Sequence, residues 1–243
     1  MNEPIMPTSK DVINALKEIA DPKIAKHSAR FFKSGEGEYG EGDRFLGIRV
    51  PKQRAIAKKH RQVPFDEIIK LLESPFHELR LTGVFILVYK YQKAKKFENH
   101  QEIYRFYMNN LEGVNNWDLV DSSAKYIAGH FLFEYDQDRS ILYKLSDSDD
   151  LWKRRIAIMT TFYFVDQDDF DLTLELAKKY FDAPEDLIHK ASGWMLREIG
   201  KQDEELLRKF LDEHYQEMPR TMLRYAIEKL DEPVRQMYLK GEI

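Results

Sequence analysis

Residues 117–131 read Trp-Asp-Leu-Val-Asp-Ser-Ser-Ala-Lys-Tyr-Ile-Ala-Gly-His-Phe, a helical pattern that opens on a tryptophan with a carboxylate one turn further on. A tryptophan beside a charged residue returns twice, as Trp152 with Arg155 and as Trp194 with Arg197. The chain has only these 3 tryptophans. Because residues three or four apart share a helix face, each pair presents an indole beside a charge. We predict that the three faces stack in register and form one shared surface.

The composition indicates a helical globular chain without thiol chemistry. Of the 243 residues, 43% are hydrophobic and 33% charged, and glycine and proline are few. The absence of cysteine excludes disulfides, thiolate metal sites and a cysteine nucleophile, and is compatible with a reducing cytoplasm. The N-terminus lacks the pattern of a signal peptide, and the longest apolar run, residues 84–89, is too short to span a bilayer. The length of 243 residues fits one large domain or two small ones. We predict a cytoplasmic protein with a single domain over residues 1–243 and no membrane partner.

Helical periodicity organises most of the chain. Two helices are predicted at about residues 9–20 and 22–33, and the glycine-rich stretch 34–43 is predicted to form a loop or short hairpin, within an insertion at about 34–50. From Pro51 onward the predicted helices pair up, at 65–72 with 78–91, 99–111 with 117–131, 138–145 with 151–164, 172–181 with 185–199, and 204–215 with 220–230. A recurrence at roughly 30 to 42 residues is typical of two-helix repeats. The fold class predicted is all-α, a HEAT-like helical-repeat solenoid, with a helical bundle without repeat geometry as the alternative.

Stacked pairs would place every second helix on a concave face. The net charge of −4 requires a polyanion-binding protein to segregate its cations onto one face. The second helices carry many of them, whereas the Asp-rich connections at 147–150 and 166–169 fall between pairs. The cations predicted to line this basic groove are Arg80, Lys153, Arg154, Arg155, Lys190, Arg197, Lys201, Arg220 and Arg224. A groove of this kind suits a polyanion of duplex width.

Asp121 is the candidate for chemistry. A carboxylate beside the indole of Trp117 would stabilise a developing cation, and the competing interpretation is a salt bridge to Lys125 or Arg155. Asp118, in the first helical turn, is explained by the helix dipole. Gly193, inside a predicted helix, indicates close approach of a neighbouring helix or a ligand.

The sequence contains no motif for a metal, nucleotide or nucleophile site. The 7 histidines show no metal-ligand spacing, and no phosphate loop, dinucleotide fingerprint or nucleophile elbow occurs. We expect neither a metal nor a cofactor. Trp152 is interpreted as core packing. From the residues alone the interpretation ends at a helical-repeat protein with an aromatic, basic groove.

An ordered set of segments resembles one family, the AlkD-type DNA alkylation repair proteins built from HEAT-like repeats. The segments are Phe45-Leu-Gly-Ile-x-x-Pro51-x-x-Arg54, Trp117-Asp-x-Val-Asp121-Ser, Trp152-x-x-Arg155-x-Ala-Ile158, Lys190-Ala-x-Gly-Trp194-x-Leu-Arg197-Glu198 and Met218-Pro-Arg-Thr-Met-Leu-Arg-Tyr-Ala-Ile227. Each is weak alone, but their order covers most of the chain from Phe45 onward.

The resemblance implies a monomeric glycosylase that removes N3- and N7-alkylated purines from duplex DNA without flipping the base. It implies that Asp121 is the catalytic carboxylate, that Trp117 and Trp194 flank the damaged nucleotide, and that Arg155 contacts the DNA backbone. The remaining residues predicted to contact DNA are Arg154, Arg197, Lys190, Arg54 and Arg224.

One departure opens a second interpretation. Compact glycosylases of this family pass almost directly from the second helix into the Phe-Leu-Gly-Ile segment, whereas residues 34–43 intervene here. A loop over the groove would reach a DNA groove or obstruct a duplex. The alternatives are a non-catalytic protein that binds branched or damaged DNA through shape and phosphate contacts, and a protein–protein scaffold. No obligate protein partner is expected.

Overall fold

A computed structural model describes residues 6–242, and within that range the regular structure is helical. One isolated parallel bridge joins Arg44 to Phe76 and belongs to no strand. The helices are α1 (Ser9–Lys17), α2 (Pro22–Phe31), α3 (Val50–Lys59), α4 (Phe65–Leu72), α5 (His77–Lys93), α6 (Phe97–Asn109), α7 (Trp117–Asp121), α8 (His130–Glu134), α9 (Ser140–Ser146), α10 (Leu151–Val165), α11 (Asp171–Lys179), α12 (Asp186–Gln202), α13 (Glu204–His214), α14 (Arg220–Ala226) and α15 (Glu232–Lys240). The predicted all-α class is therefore confirmed.

Local capping chemistry explains where several helices begin. Thr8 and Asp11 form a reciprocal capping box at the start of α1. The carboxylate of Asp21 accepts from two backbone N–H groups of α2, and Pro22 occupies the first helical position. Asp150 caps α10 in the same way. These caps satisfy N–H groups that a helix leaves without partners in its first turn.

The described residues up to Ile127 form a first compact unit. Its centre is α5, which is buried from His77 to Val88 without an exposed side. The helices α3, α4, α6 and α7 all contact α5. A helix that is buried on every side needs such a surrounding layer of helices.

The residues from Ala128 onward form a second compact unit. In this unit α10 contacts α12, and α12 contacts α14. Of the first helices of the pairs, α9 contacts α10, α11 contacts both α10 and α12, and α13 contacts α12. The second helices of consecutive pairs therefore form one layer, as the repeat pattern predicted for this part of the chain. Whether both units act as the single domain expected from the sequence stays a prediction.

The predicted helix over 117–131 is wrong as a continuous helix. The chain forms α7, then a π-helical segment at Lys125–Gly129, then α8. Ser123 accounts for part of the break, since its hydroxyl donates to the carbonyl oxygen of Leu119 at 2.7 Å. Helix α15 was not predicted, and the predicted ends of the other helices are shifted by a few residues.

The glycine-rich stretch is a loop of consecutive turns and not a hairpin. Its path depends on Gly40, where an added Cβ would lie 2.4 Å from the backbone oxygen of Phe32. Only glycine allows this approach without displacing the end of α2. Within the described range, no helix is both long and apolar enough to cross a membrane.

Candidate functional site

Trp117 begins α7 and is held from one side by aromatic rings. Its backbone N–H donates to the side chain of Asn116, which caps the helix. The indole stacks on Phe32 with ring centroids 5.4 Å apart, and Phe31 meets it edge-on at 5.9 Å. Trp117 is half-buried, while Phe31 is 57% exposed. An aromatic surface that is accessible to solvent therefore lies at the start of α7.

A buried ionic cluster lies against the same rings. The ring of Phe32 is 4.4 Å from that of His77, and Phe45 stacks on His77 at 5.2 Å. Nδ1 of His77 lies 3.1 Å from a carboxylate oxygen of Asp43, and Nε2 lies 2.9 Å from one of Asp118. One imidazole thus joins the glycine-rich loop, through Asp43, to α7, through Asp118.

The two carboxylates keep His77 charged. Burial alone would lower the pKa of His77, but the hydrogen bonds and negative charges of Asp118 and Asp43 outweigh it and raise that pKa to about 9. With both ring nitrogens protonated, the imidazolium donates to both carboxylates. Burial opposes a low pKa for Asp43, yet His77 and Arg80 together hold that pKa below its usual value.

Arg80 completes this cluster and corrects one prediction. Its side chain is only 4% exposed, and its guanidinium donates to the carboxylate of Asp43 and to the backbone oxygen of Ser74. The side-chain amide of Asn116 also donates to Asp43, at 3.2 Å. Arg80 therefore does not line an open groove as the sequence suggested. It fixes the end of the glycine-rich loop, because a buried cation needs a partner.

Asp121 is the last residue of α7, one helical turn beyond Trp117. It is half-buried, so the carboxylate is neither fully solvated nor sealed in the core. Its charge adds to the raised pKa of Tyr107, whose main cause is complete burial. The chain leaves regular α-helical geometry directly after Asp121, and interruptions of this kind are frequent at functional sites.

Trp194 lies in the middle of α12 and is held mainly by its own helix. Its indole N–H donates to Glu198 at 2.9 Å, and Phe162 meets the ring edge-on at 5.6 Å. The preceding Gly193 packs against α14, where an added Cβ would lie 2.4 Å from the backbone oxygen of Met222. The prediction of a close approach at Gly193 is confirmed, and the approaching element is a neighbouring helix.

Three of the cations predicted to contact DNA are engaged in ion pairs. Arg154 pairs with Glu185, and Arg197 pairs with Glu228 and, at 3.4 Å, with Glu198. Lys190 pairs with Asp186 at 2.6 Å. The pair of Lys190 with Asp186 is well exposed and contributes little stability, whereas the guanidinium groups of Arg154 and Arg197 are mostly buried in their pairs.

The other three predicted DNA contacts differ in accessibility. Arg224 is exposed on α14. The guanidinium of Arg54 lies over the ring of Phe85, 4.0 Å from its centroid. Arg155 is only 4% exposed and donates to the backbone oxygen of Leu187 at 2.5 Å. Arg155 therefore supports the chain just inside α12. For all six cations a role in DNA contact stays a prediction.

Sequence patterns did not point to Asp43, His77 or Phe32. His77 was one of several histidines without a spacing motif, and Asp43 appeared only as the end of a glycine-rich stretch. Asp118 was explained by the helix dipole, although it is 9% exposed and bound to His77. Among the described residues, no cluster of His, Asp and Glu side chains has the arrangement of a metal site.

Comparisons with known proteins agree with this architecture. No curated protein sequence matches the chain. A structure titled a predicted DNA alkylation repair enzyme, from Enterococcus faecalis, is 17% identical, with a TM-score of 0.67 over 88% of this chain and 97% of that one. The structure of AlkD2 from Streptococcus mutans is 16% identical, with a TM-score of 0.54 over 92% of this chain and 100% of that one. At these identities the two structures support the helical-repeat fold alone.

The sequence itself provides the assignment. Residues 12–230 match the family model described as DNA alkylation repair enzyme. This match includes α7 with Trp117 and Asp121, and α12 with Trp194. The chain therefore belongs to the DNA alkylation repair enzyme family.

Proposed function

We propose that this protein is a DNA glycosylase that hydrolyses the N-glycosidic bond of N3- and N7-alkylated purines in duplex DNA. Membership in a family of DNA alkylation repair enzymes supports DNA as the partner. The observation that carries the proposal is Asp121, a half-buried carboxylate one turn beyond the accessible aromatic surface at Trp117. A carboxylate of this kind is suited to stabilising positive charge on a sugar.

The chemistry needs few groups because an alkylated purine already carries a positive charge. When the bond between C1′ of the sugar and the purine nitrogen breaks, the electron pair leaves with the base, which becomes neutral. The sugar becomes oxocarbenium-like. Asp121 would stabilise that cation by its charge, and the indole of Trp117 by cation–π attraction. A contact of Trp194 with the nucleotide stays a prediction from the resemblance. Water then adds to C1′ and loses a proton, so the base is released by net hydrolysis.

The neighbourhoods of the tryptophans support their proposed roles. Phe32 and Phe31 restrict the ring of Trp117, and the hydrogen bond to Glu198 restricts that of Trp194. Rings that are already ordered before binding lose less conformational entropy when they contact a nucleotide. We propose Arg154, Arg197, Lys190, Arg54 and Arg224 as backbone contacts, with DNA phosphates replacing the carboxylates that pair with Arg154, Arg197 and Lys190. Arg155, which is only 4% exposed, is left out of this proposal.

The test is release of methylated base from duplex DNA by wild type and by Asp121→Asn. We expect the variant to bind DNA as wild type does and to lose about 10²- to 10³-fold in rate, the size of one removed electrostatic stabiliser. Asp182→Asn is the matched control, since Asp182 is an exposed carboxylate outside α7 and α12. Unchanged base release by Asp121→Asn would refute the assignment of Asp121.

A second candidate is non-catalytic binding of branched or damaged DNA. The observation that favours it is the glycine-rich loop, which is anchored through Asp43 to His77 and Arg80 and adds a fixed structure beside Trp117. A fixed loop can recognise a distorted backbone by shape. Base release by the wild type from methylated duplex would exclude this candidate.

A further inference from the structure

A second concentration of positive charge lies in the first unit, away from the residues considered so far. A cavity of about 440 Å³ is bordered by the α3–α4 connection, the end of α5 and the start of α6. Its walls carry five cations, Arg61, Lys90, Lys93, Lys95 and Lys96. We call this cavity the lysine pocket. The one carboxylate in these walls is Glu102.

The cations of the lysine pocket differ from those of the second unit in their pairing. Arg154, Arg197 and Lys190 each have a carboxylate partner. Within the described residues, by contrast, none of the five lysine-pocket cations forms a salt bridge. Lys93, Lys95 and Lys96 are exposed, so their charge is available to a ligand.

Lys90 is the partly buried cation of the pocket, and burial disfavours its unneutralised charge. The ammonium of Lys90 lies 5.6 Å from the ring centroid of Phe65, which in turn stacks on Phe106 at 4.6 Å. Burial lowers the pKa of Lys90, and Glu102 only partly opposes this. An anion bound between these groups would relieve the repulsion among them.

The side chains in the pocket walls indicate the chemical class of the ligand. Five cations and no free aromatic face suit a phosphate rather than a base, since Phe65, the one aromatic ring in the walls, is covered by Phe106 and Lys90. Helix α6 begins beside the pocket at Phe97, and its N-cap residue Lys96 makes no side-chain capping hydrogen bond. Its first N–H groups and dipole add to the attraction for an anion.

The pocket is separate from the cluster at Trp117. Lys90 lies about 20 Å along the axis of α5 from His77, at about 1.5 Å per residue. This distance corresponds to about six base-pair steps of a duplex at 3.4 Å each. A contact here is therefore additional to one at Trp117.

We propose that the lysine pocket binds backbone phosphates of the nucleic acid on which this protein acts. The proposal rests on the proposed function in taking DNA as the partner, and it adds a phosphate-binding site outside the predicted groove cations. Its role is positioning, because five cations outweigh Glu102 in the walls and would repel a cationic sugar.

The experiment compares Lys93→Gln/Lys95→Gln/Lys96→Gln with wild type in binding undamaged duplex DNA across a salt series. The plot of log K against log salt has a negative slope, and each phosphate contact that is lost makes it less steep by about 0.9. We expect the slope of the variant to be less steep than that of wild type by about 2 to 3, and its affinity at low salt to drop at least tenfold. The control is Lys10→Gln/Lys17→Gln/Lys209→Gln, which removes the same charge from exposed positions outside the pocket and is expected to keep the wild-type slope.

The outcomes separate this proposal from the proposed function. A variant with the slope and affinity of wild type, or an equal loss in the control, overturns the lysine pocket even if wild type releases methylated base. A selective loss of slope supports the pocket even if no base is released, in which case only the glycosylase assignment fails. Vesicles of anionic phosphatidylglycerol with phosphatidylcholine serve as a further probe. Vesicle binding that the triple variant loses, with unchanged DNA binding, would overturn the proposal in favour of a membrane surface.

Discussion

Trp117 in the first unit and Trp194 in the second unit share a local pattern, an indole with a charged residue one helical turn further on, yet their surroundings differ. Trp117 rests on Phe32, which covers a buried imidazolium between two carboxylates. Trp194 is held by Glu198 of its own helix. The first arrangement depends on distant segments and buried charge, and the second on one helix. We therefore expect the first to be more sensitive to substitution and to pH.

The largest effect is expected from His77→Leu. The substitution leaves Asp118 as a buried carboxylate without its cation, which costs about 3 to 5 kcal/mol. The comparison variant is Glu198→Gln beside Trp194, where the partner Lys201 is 44% exposed, and where we expect a loss of about 1 kcal/mol. Urea unfolding at pH 7 measures both free energies. Equal losses in the two variants would contradict the distinction between the two neighbourhoods.

A pH dependence of comparable size is expected from the same histidine. Because the pKa of His77 is raised to about 9 in the folded state, its stabilising effect is complete below the unfolded value near 6.5 and is lost as the pH rises through about 9. The total is on the order of 3 kcal/mol. Free energies of unfolding from pH 6 to 9.5 should fall for wild type. His77→Leu should lack this decline, and a decline that persists in the variant would assign it to another group.

A smaller effect distinguishes two helical glycines. Gly193→Ala places a methyl group 2.4 Å from the backbone oxygen of Met222. We expect a loss of about 1 to 3 kcal/mol, because overpacking outweighs the gain in helix propensity. In Gly83→Ala the nearest atoms are Cβ of Leu71 at 3.2 Å and Cδ2 of Leu72 at 3.3 Å, so a displacement of a few tenths of an ångström relieves the contact and we expect a change within about 1 kcal/mol. Thermal unfolding of both variants is the measurement, and a loss for Gly83→Ala as large as for Gly193→Ala would count against the close contact between α12 and α14.

Much of the helical organisation was predictable from the sequence. Periodicity placed α4 at Phe65–Leu72 as observed. Gly193 indicated a close approach inside α12, and the structure shows α14 there. The candidate pairs Trp117 with Asp121 and Trp194 with Arg197 also came from spacing alone. These features depend on residues within about one helical turn, so short segments of the sequence are enough to predict them.

Only the tertiary structure decided which charged side chains form ion pairs with one another. His77 contacts Asp43 and Asp118 across 34 and 41 positions of sequence, and Arg80 was assigned to a groove although Asp43 holds it in the interior. Arg154 and Arg197 were predicted as available cations, yet Glu185 and Glu228 pair with them. The lysine pocket, which lacks such partners, had no motif. A charge has the same local pattern whether it is paired or not, because pairing depends on how distant segments fold back on one another.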